Sequence, residues 1–229
     1  MKVGVIVFPG TNCEQDVLYA LRSLGAEAEP VWHRQTDLAD LDGVVLPGGF
    51  AHGDYLRTGA IARFSPVMAG VARLAAEGRP VLGICNGFQI LCEAGLLPGA
   101  LLPNRSLRFI CRPVHVTVTS TDSVLTRAAR FGQVLQLPLN SYQGNYVASR
   151  QSLEGEGRVV LRYSTPEGDL DPTANSNGSM AAIAGVANLA GNVVGLMPHP
   201  ERASEEVLGS VDGRVLLESV VTSPALTMV

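Results

Sequence analysis

The stretch Pro80-Val81-Leu82-Gly83-Ile84-Cys85-Asn86-Gly87-Phe88-Gln89-Ile90-Leu91 constrains this chain more than any other. A short apolar run enters Gly83-Ile84-Cys85-Asn86-Gly87 and leaves as a helix-compatible segment, which sets the Cys85 thiol on a sharp strand-to-helix turn. This is the nucleophile-elbow pattern with cysteine in place of serine.

The segments around it read as the start of a parallel, doubly wound sheet. Residues 3 to 8 form an apolar run, and Pro9-Gly10-Thr11-Asn12 turns it into a segment from Cys13 to Leu21 with helical spacing, stopped by Gly25. Further strands are predicted from Ala28 to Trp32 and through Val44-Val45-Leu46 to Pro47-Gly48-Gly49. A helix from about Ala60 to Ala76, closed by Gly78, leads into the strand before Cys85. The Gly48-Gly49-Phe50 loop then shares the carboxyl edge of the sheet with the elbow, where such sheets bind ligands.

From Leu96 the character changes. Val114 to Thr119, Val134 to Leu137 and Val159 to Tyr163 alternate with Gly, Asn, Ser and Pro between them, which predicts a more antiparallel layer. Met180 to Val186 and Val193 to Met197 read as strands, and Arg214 to Val221 as a last helix. Thr222 to Val229 carry no signal. No repeat or linker marks a second unit, so residues 1–229 read as a single domain of ample apolar content, 46% hydrophobic.

Charge and targeting narrow the partners. A net charge of −4 with scattered Lys and Arg offers no stripe for nucleic-acid phosphates. No apolar run approaches the roughly 20 residues that cross a bilayer, and the first strand is too short for a signal-peptide core. The expectation is a cytoplasmic protein without nucleic-acid or membrane partners. Cys13, Cys85, Cys92 and Cys111 lack paired spacings, so neither a disulfide framework nor a metal site is expected. Cys13, Cys92, Cys111, His33 and His115 are assigned to packing or surface.

A thiol at a helix N-terminus becomes a useful nucleophile beside a histidine. His199 follows a strand, is fixed between Pro198 and Pro200, and has Glu201 two residues on, on the same side of an extended turn. Glu201 would then hold the imidazole in its working tautomer, completing a Cys-His-Glu relay. Oxyanion donors would come from the N–H groups of Asn86 and of the Gly49-Phe50 loop. That geometry asks for acyl transfer through a thioester.

With these residues in hand, the chain resembles the class I (triad) glutamine amidotransferases, and within them the glutaminase subunits of phosphoribosylformylglycinamidine synthases. The resemblance runs nearly end to end. It is carried by Phe8-Pro9-Gly10-Thr11-Asn12-Cys13, Pro47-Gly48-Gly49-Phe50 with Gly53-Asp54-Tyr55-Leu56-Arg57, the elbow through Gln89, Asn177-Gly178-Ser179, and Met197-Pro198-His199-Pro200-Glu201-Arg202. It implies an α/β fold: a flavodoxin-like, doubly wound, mostly parallel central sheet with helices on both faces and an additional antiparallel β layer. It implies that Cys85 attacks the side-chain amide of glutamine, that His199 protonates the departing ammonia, and that water releases glutamate. Free ammonia is mostly protonated at neutral pH, so it must pass directly to a second site.

The resemblance places that site on a large synthetase subunit, with a small accessory subunit, which uses ATP and magnesium to convert formylglycinamide ribonucleotide to the amidine. No cofactor is expected in this chain. Tyr55, Arg57 and Gln89 are candidates for substrate binding or coupling. Two segments depart from the family pattern: Asn140-Ser141-Tyr142-Gln143-Gly144, where a histidine and a carboxylate are usual, and Asn175-Ser176-Asn177-Gly178-Ser179. The alternatives are a glutaminase serving another synthetase, a flavodoxin-like cysteine hydrolase or chaperone with Glu14 tuning the thiol, and a pseudo-glutaminase that only docks.

Overall fold

The computed structural model describes residues 1–154 and 158–223. Residues 224–229, in the tail without a sequence signal, lie outside the described residues. Five strands build a parallel half-sheet: β1 (Lys2–Val7), β2 (Glu27–Trp32), β3 (Gly43–Leu46), β4 (Val81–Ile84) and β11 (Val193–Leu196). All but β2 are almost wholly apolar and buried, as strands covered on both faces must be. The covering helices are α1 (Glu14–Ser23), α2 (Val67–Ala76), α3 (Asn86–Glu93) and α4 (Gly213–Val221), each with an apolar stripe toward the core.

The strands predicted as antiparallel, around Val114, Val134 and Val159, extend the central sheet. β6 (Ile110–Val118), β7 (Val134–Ser141), β9 (Val159–Ser164) and β10 (Ile183–Ala187) continue the main sheet, in the order β2-β1-β3-β4-β11-β10-β9-β6-β7. A small second sheet that the sequence does not predict pairs β5 (Ala100–Leu102) with β8 (Asn145–Val147). Along β7, buried and half-buried residues alternate, the pattern of a strand with one covered face.

Two predicted boundaries move, for local reasons. The helix expected from Ala60 begins at Val67, because Pro66 starts a new helix well and poorly continues one; Ala62–Phe64 form a separate 3₁₀ turn. The strand expected from Met180 begins at Ile183, since Ala181 and Ala182 have positive φ. Among the described residues no helix is long and apolar enough to cross a membrane.

The topology decides what meets what. β4 lies between β3 and β11, with Leu46 paired to Gly83 and Leu196 to Ile84. The loops after β3, β4 and β11 therefore leave one carboxyl edge side by side.

Candidate active site

At that edge Cys85 closes β4 and caps α3. Its φ of 50° and ψ of −104° lie outside the regions a side-chain-bearing residue prefers, the strain expected of a nucleophile elbow. Two contacts hold it there. Its N–H donates to the Leu196 carbonyl at 2.8 Å, and α3 rests so closely on β3 that a Cβ at Gly87 would fall 1.9 Å from the Leu46 oxygen. Only glycine fits at Gly87. The Cys85 thiol thus reaches the floor of a cavity of about 260 Å³ and donates toward the Asn140 carbonyl at 3.5 Å.

Across the floor stands His199, in the turn after β11. Its N–H donates to the Pro138 carbonyl at 2.8 Å, fastening the turn to β7, and its Nδ1 lies 2.5 Å from Glu201 Oε1. Both side chains are buried. Burial alone would push the imidazole down, but the Glu201 carboxylate and the thiols of Cys13 and Cys85 outweigh it and hold His199 well above its ordinary value. Its Nε2 is buried without a hydrogen-bond partner among the described residues.

The oxyanion donors divide unevenly. Asn86 is the first residue of α3, so its N–H has no intrahelical acceptor. The Phe50 N–H, an expected donor, instead donates to the Gly10 carbonyl at 2.9 Å. Gly49, the residue before it, has no such backbone acceptor among the described residues and stays the loop's candidate donor. The Asn86 side chain ties the parts together: its Oδ1 accepts the Ala51 N–H at 3.0 Å, and its Nδ2 donates to Gln89 Oε1 at 2.9 Å and Asp54 Oδ1 at 3.3 Å.

Of the coupling candidates, Gln89 lines the cavity and donates to the Gln143 carbonyl at 2.6 Å. Tyr55 is 75% exposed and Arg57 forms a two-pronged pair with Glu93; neither lines the cavity. Glu14 does not line it either.

Several lining residues escape the sequence reading. Asn140 to Gln143 form one wall, so the divergent segment belongs to the site. It is braced from behind: Asn177 and Ser179 both donate to the Gly144 carbonyl, at 2.7 and 3.1 Å, which accounts for the Asn177-Gly178-Ser179 motif. Asp54 also lines the cavity, and burial pushes its carboxyl up to about 6, against a smaller downward pull from Asn86. Cys13, assigned to packing, also lines the cavity, where Arg202 Nη2 donates to its sulfur at 3.2 Å. Its position in the Asn12-Cys13-Glu14 turn at the same sheet edge was the available signal.

Known proteins of similar sequence and structure place the chain in a family. The model of the CobB/CobQ-like glutamine amidotransferase domain family matches residues 1–224. A protein named phosphoribosylformylglycinamidine synthase subunit PurQ from Koribacter versatilis is 51% identical over 229 residues, covering 98% of this chain and 99% of that one. The protein of the same name from Rubrobacter xylanophilus is 54% identical over 224 residues, covering 96% and 98%. A chain in the solved structure of PurLQS from Thermotoga maritima superposes with a TM-score of 0.86 at 42% identity, covering 96% and 97%. A glutamine amidotransferase of known structure from the same organism shares the fold, with a TM-score of 0.56 at 18% identity, covering 96% and 90%.

Proposed function

This chain belongs to the CobB/CobQ-like glutamine amidotransferase domain family, and we infer that it is the glutaminase subunit of a phosphoribosylformylglycinamidine synthase. It hydrolyses glutamine and delivers the ammonia to a synthetase subunit that converts formylglycinamide ribonucleotide to formylglycinamidine ribonucleotide in purine biosynthesis. The observation that carries the reading is that Cys85 and His199 line one cavity, with the His199 imidazole held by Glu201.

The chemistry follows from the placement of the groups. The Cys85 thiolate adds to the side-chain carbonyl of glutamine, and the oxygen, now negative, is met by the N–H groups of Asn86 and Gly49. His199, charged and held by Glu201, gives its Nε2 proton to the amide nitrogen; the C–N bond breaks and ammonia leaves a thioester on Cys85. Neutral His199 then takes a proton from water, whose oxygen attacks the thioester to release glutamate and restore the thiol. The Asp54 carboxylate offers a partner for the α-ammonium of the substrate. A cavity of about 260 Å³ suits a single amino acid.

The mouth of the cavity supports a partner that covers it. Phe50 and Phe109 line the cavity yet are 49% and 52% exposed, and Tyr55 and Leu56, which follow the lining Asp54 in the chain, are 75% and 85% exposed, more large apolar surface than an uncovered region carries without cause. A synthetase subunit seated there would receive ammonia before solvent protonates it. ATP and magnesium belong to that subunit in this reading, a small accessory subunit completes the complex, and the complex works in the cytoplasm.

The test uses the reconstituted complex. Cys85→Ala is expected to abolish amidine synthesis from glutamine while synthesis from added ammonia survives. Loss of both activities, or of neither, overturns the reading.

A further inference from the structure

We propose that Asn104, a buried residue that does not itself line the cavity, is a positioning residue for glutamine binding: it sets the shape of the wall formed by Ser141, Tyr142 and Gln143. The consequence for catalysis rests on the glutaminase reading above; the bracing does not.

The wall needs a brace because most of it belongs to no strand. β7 ends at Ser141 and β8 begins at Asn145, so Tyr142, Gln143 and Gly144 leave the ladder. Ser141 and Gly144 are buried, and buried backbone groups must find partners elsewhere when no strand supplies them. Asn104 meets both ends of this turn. Its N–H donates to the Tyr142 carbonyl at 2.9 Å, its Nδ2 donates to the Ser141 carbonyl at 2.8 Å, and its Oδ1 accepts the Gly144 N–H at 3.0 Å.

Asn104 is itself held in one orientation. Its Nδ2 also donates to the Arg108 carbonyl at 3.0 Å, and turning the amide over would set Oδ1 against two carbonyl oxygens. The N–H of the next residue, Arg105, donates to the Asn177 carbonyl at 2.9 Å, which joins this brace to the one Asn177 and Ser179 place on Gly144.

The geometry decides which kinetic constant responds. Ser141, Tyr142 and Gln143 line the cavity, whereas Cys85 sits at the end of β4 and His199 in the turn after β11. Asn140, whose carbonyl the Cys85 thiol meets, stays paired with Cys111 in the β6–β7 ladder. Without Asn104 the wall shifts against the bound amino acid while the nucleophile and its histidine keep their places. Recognition of glutamine then suffers more than the chemical step.

The experiment compares Asn104→Ala with Asn192→Ala in the reconstituted complex. Asn192 is a matched control: it is fully buried, its Nδ2 donates to the carbonyls of Ala75 and Arg79 at 2.8 and 3.0 Å, and neither it nor those partners line the cavity. Both variants lose buried hydrogen bonds and should melt below the wild type. Asn104→Ala alone is expected to raise KM for glutamine at least about tenfold, with kcat within about threefold of wild type. An unchanged KM in Asn104→Ala, a loss carried by kcat instead, or an equal rise of KM in Asn192→Ala overturns the proposal. Should Asn104→Ala fail to fold, Asn104→Ser, which keeps a hydroxyl, is read against the same outcomes. Amide hydrogen exchange of the isolated wild-type chain needs neither glutamine nor synthetase: the Gly144 N–H is expected to exchange as slowly as the amides of β7, and exchange at the rate of an exposed loop overturns the bracing. A wild-type complex that makes no amidine from glutamine would instead strike the glutaminase reading and leave the exchange result standing.

Discussion

The side-chain oxygen of Asn86 accepts the backbone N–H of Ala51 at 3.0 Å, so the residue after the nucleophile also fastens the loop that carries the Gly49 donor. The two candidate oxyanion donors, the N–H groups of Asn86 and Gly49, are therefore tied together through one side chain. Asn86→Ala would leave the buried Ala51 N–H unpaired and free the loop, while the Asn86 backbone donor stays in place. The expected result is a loss of about 10- to 100-fold in kcat, less than deletion of a donor itself, with a stability cost of about 1–3 kcal/mol. Steady-state glutaminase kinetics of the complex and denaturant unfolding check the two effects; an unchanged kcat would detach the loop from catalysis.

Gly87 tests the elbow from the other side. Any side chain there drives a carbon against the Leu46 carbonyl, whose backbone cannot retreat without breaking the β3–β4 pairing. Gly87→Ala is expected to lower stability by about 3 kcal/mol or more, or to prevent folding outright. Circular dichroism and thermal unfolding of the purified variant read this directly, and a native-like melting temperature would contradict the close approach of α3 to β3.

Much of the site is legible in the sequence because each local motif carries its own geometry. The apolar run into Gly83-Ile84-Cys85-Asn86-Gly87 specifies an elbow, and the prolines around His199 with Glu201 two residues on specify an oriented imidazole. Their meeting is not local, and comes from β4 and β11 pairing as neighbours, with Leu196 opposite Ile84. What stays hidden acts through backbone or through burial. Asn140 contributes a carbonyl oxygen, a group every residue has. The Phe50 N–H is lost as a donor because Gly10 reaches it across a turn. Cys13 looks like any small apolar residue at the start of a helix until Arg202 and His199 arrive beside it, nearly two hundred residues later.

Glu201 and Glu14 separate the triad from its rival. Glu201 holds His199 Nδ1 at 2.5 Å, whereas Glu14 does not line the cavity and has one carboxylate oxygen buried without a partner among the described residues. Glu201→Gln removes the charge that keeps the buried imidazole protonated and weakens its orientation, and should cost about 10²- to 10⁴-fold in kcat with little change in KM. Glu14→Gln should leave glutamine hydrolysis near the wild-type rate. The reverse pattern would assign the thiol's tuning to Glu14 and remove Glu201 from the mechanism.

Asp54 makes stability depend on pH in a direction opposite to most carboxylates. Burial pushes its carboxyl up to about 6 in the folded chain, from an ordinary value of 3.8. Between those values the native state holds a proton that the unfolded state has released, so stability falls as pH rises through this window and stays lower above it. Asp54→Asn removes the titration. Its melting temperature relative to wild type should therefore be flat below about pH 4, rise between about pH 4 and 6, and level off by about pH 7. Because the side chain is only partly buried, solvent screening limits the rise to roughly 2–4 °C in a chain of this length. The same variant should raise KM for glutamine above pH 6, where the wild-type carboxylate is charged and able to pair with the α-ammonium. A pH series of thermal melts on the isolated chain, paired with KM measured in the complex, separates the two roles. A melting difference that is constant with pH would show that Asp54 titrates normally, and an unchanged KM would place the ammonium elsewhere in the cavity.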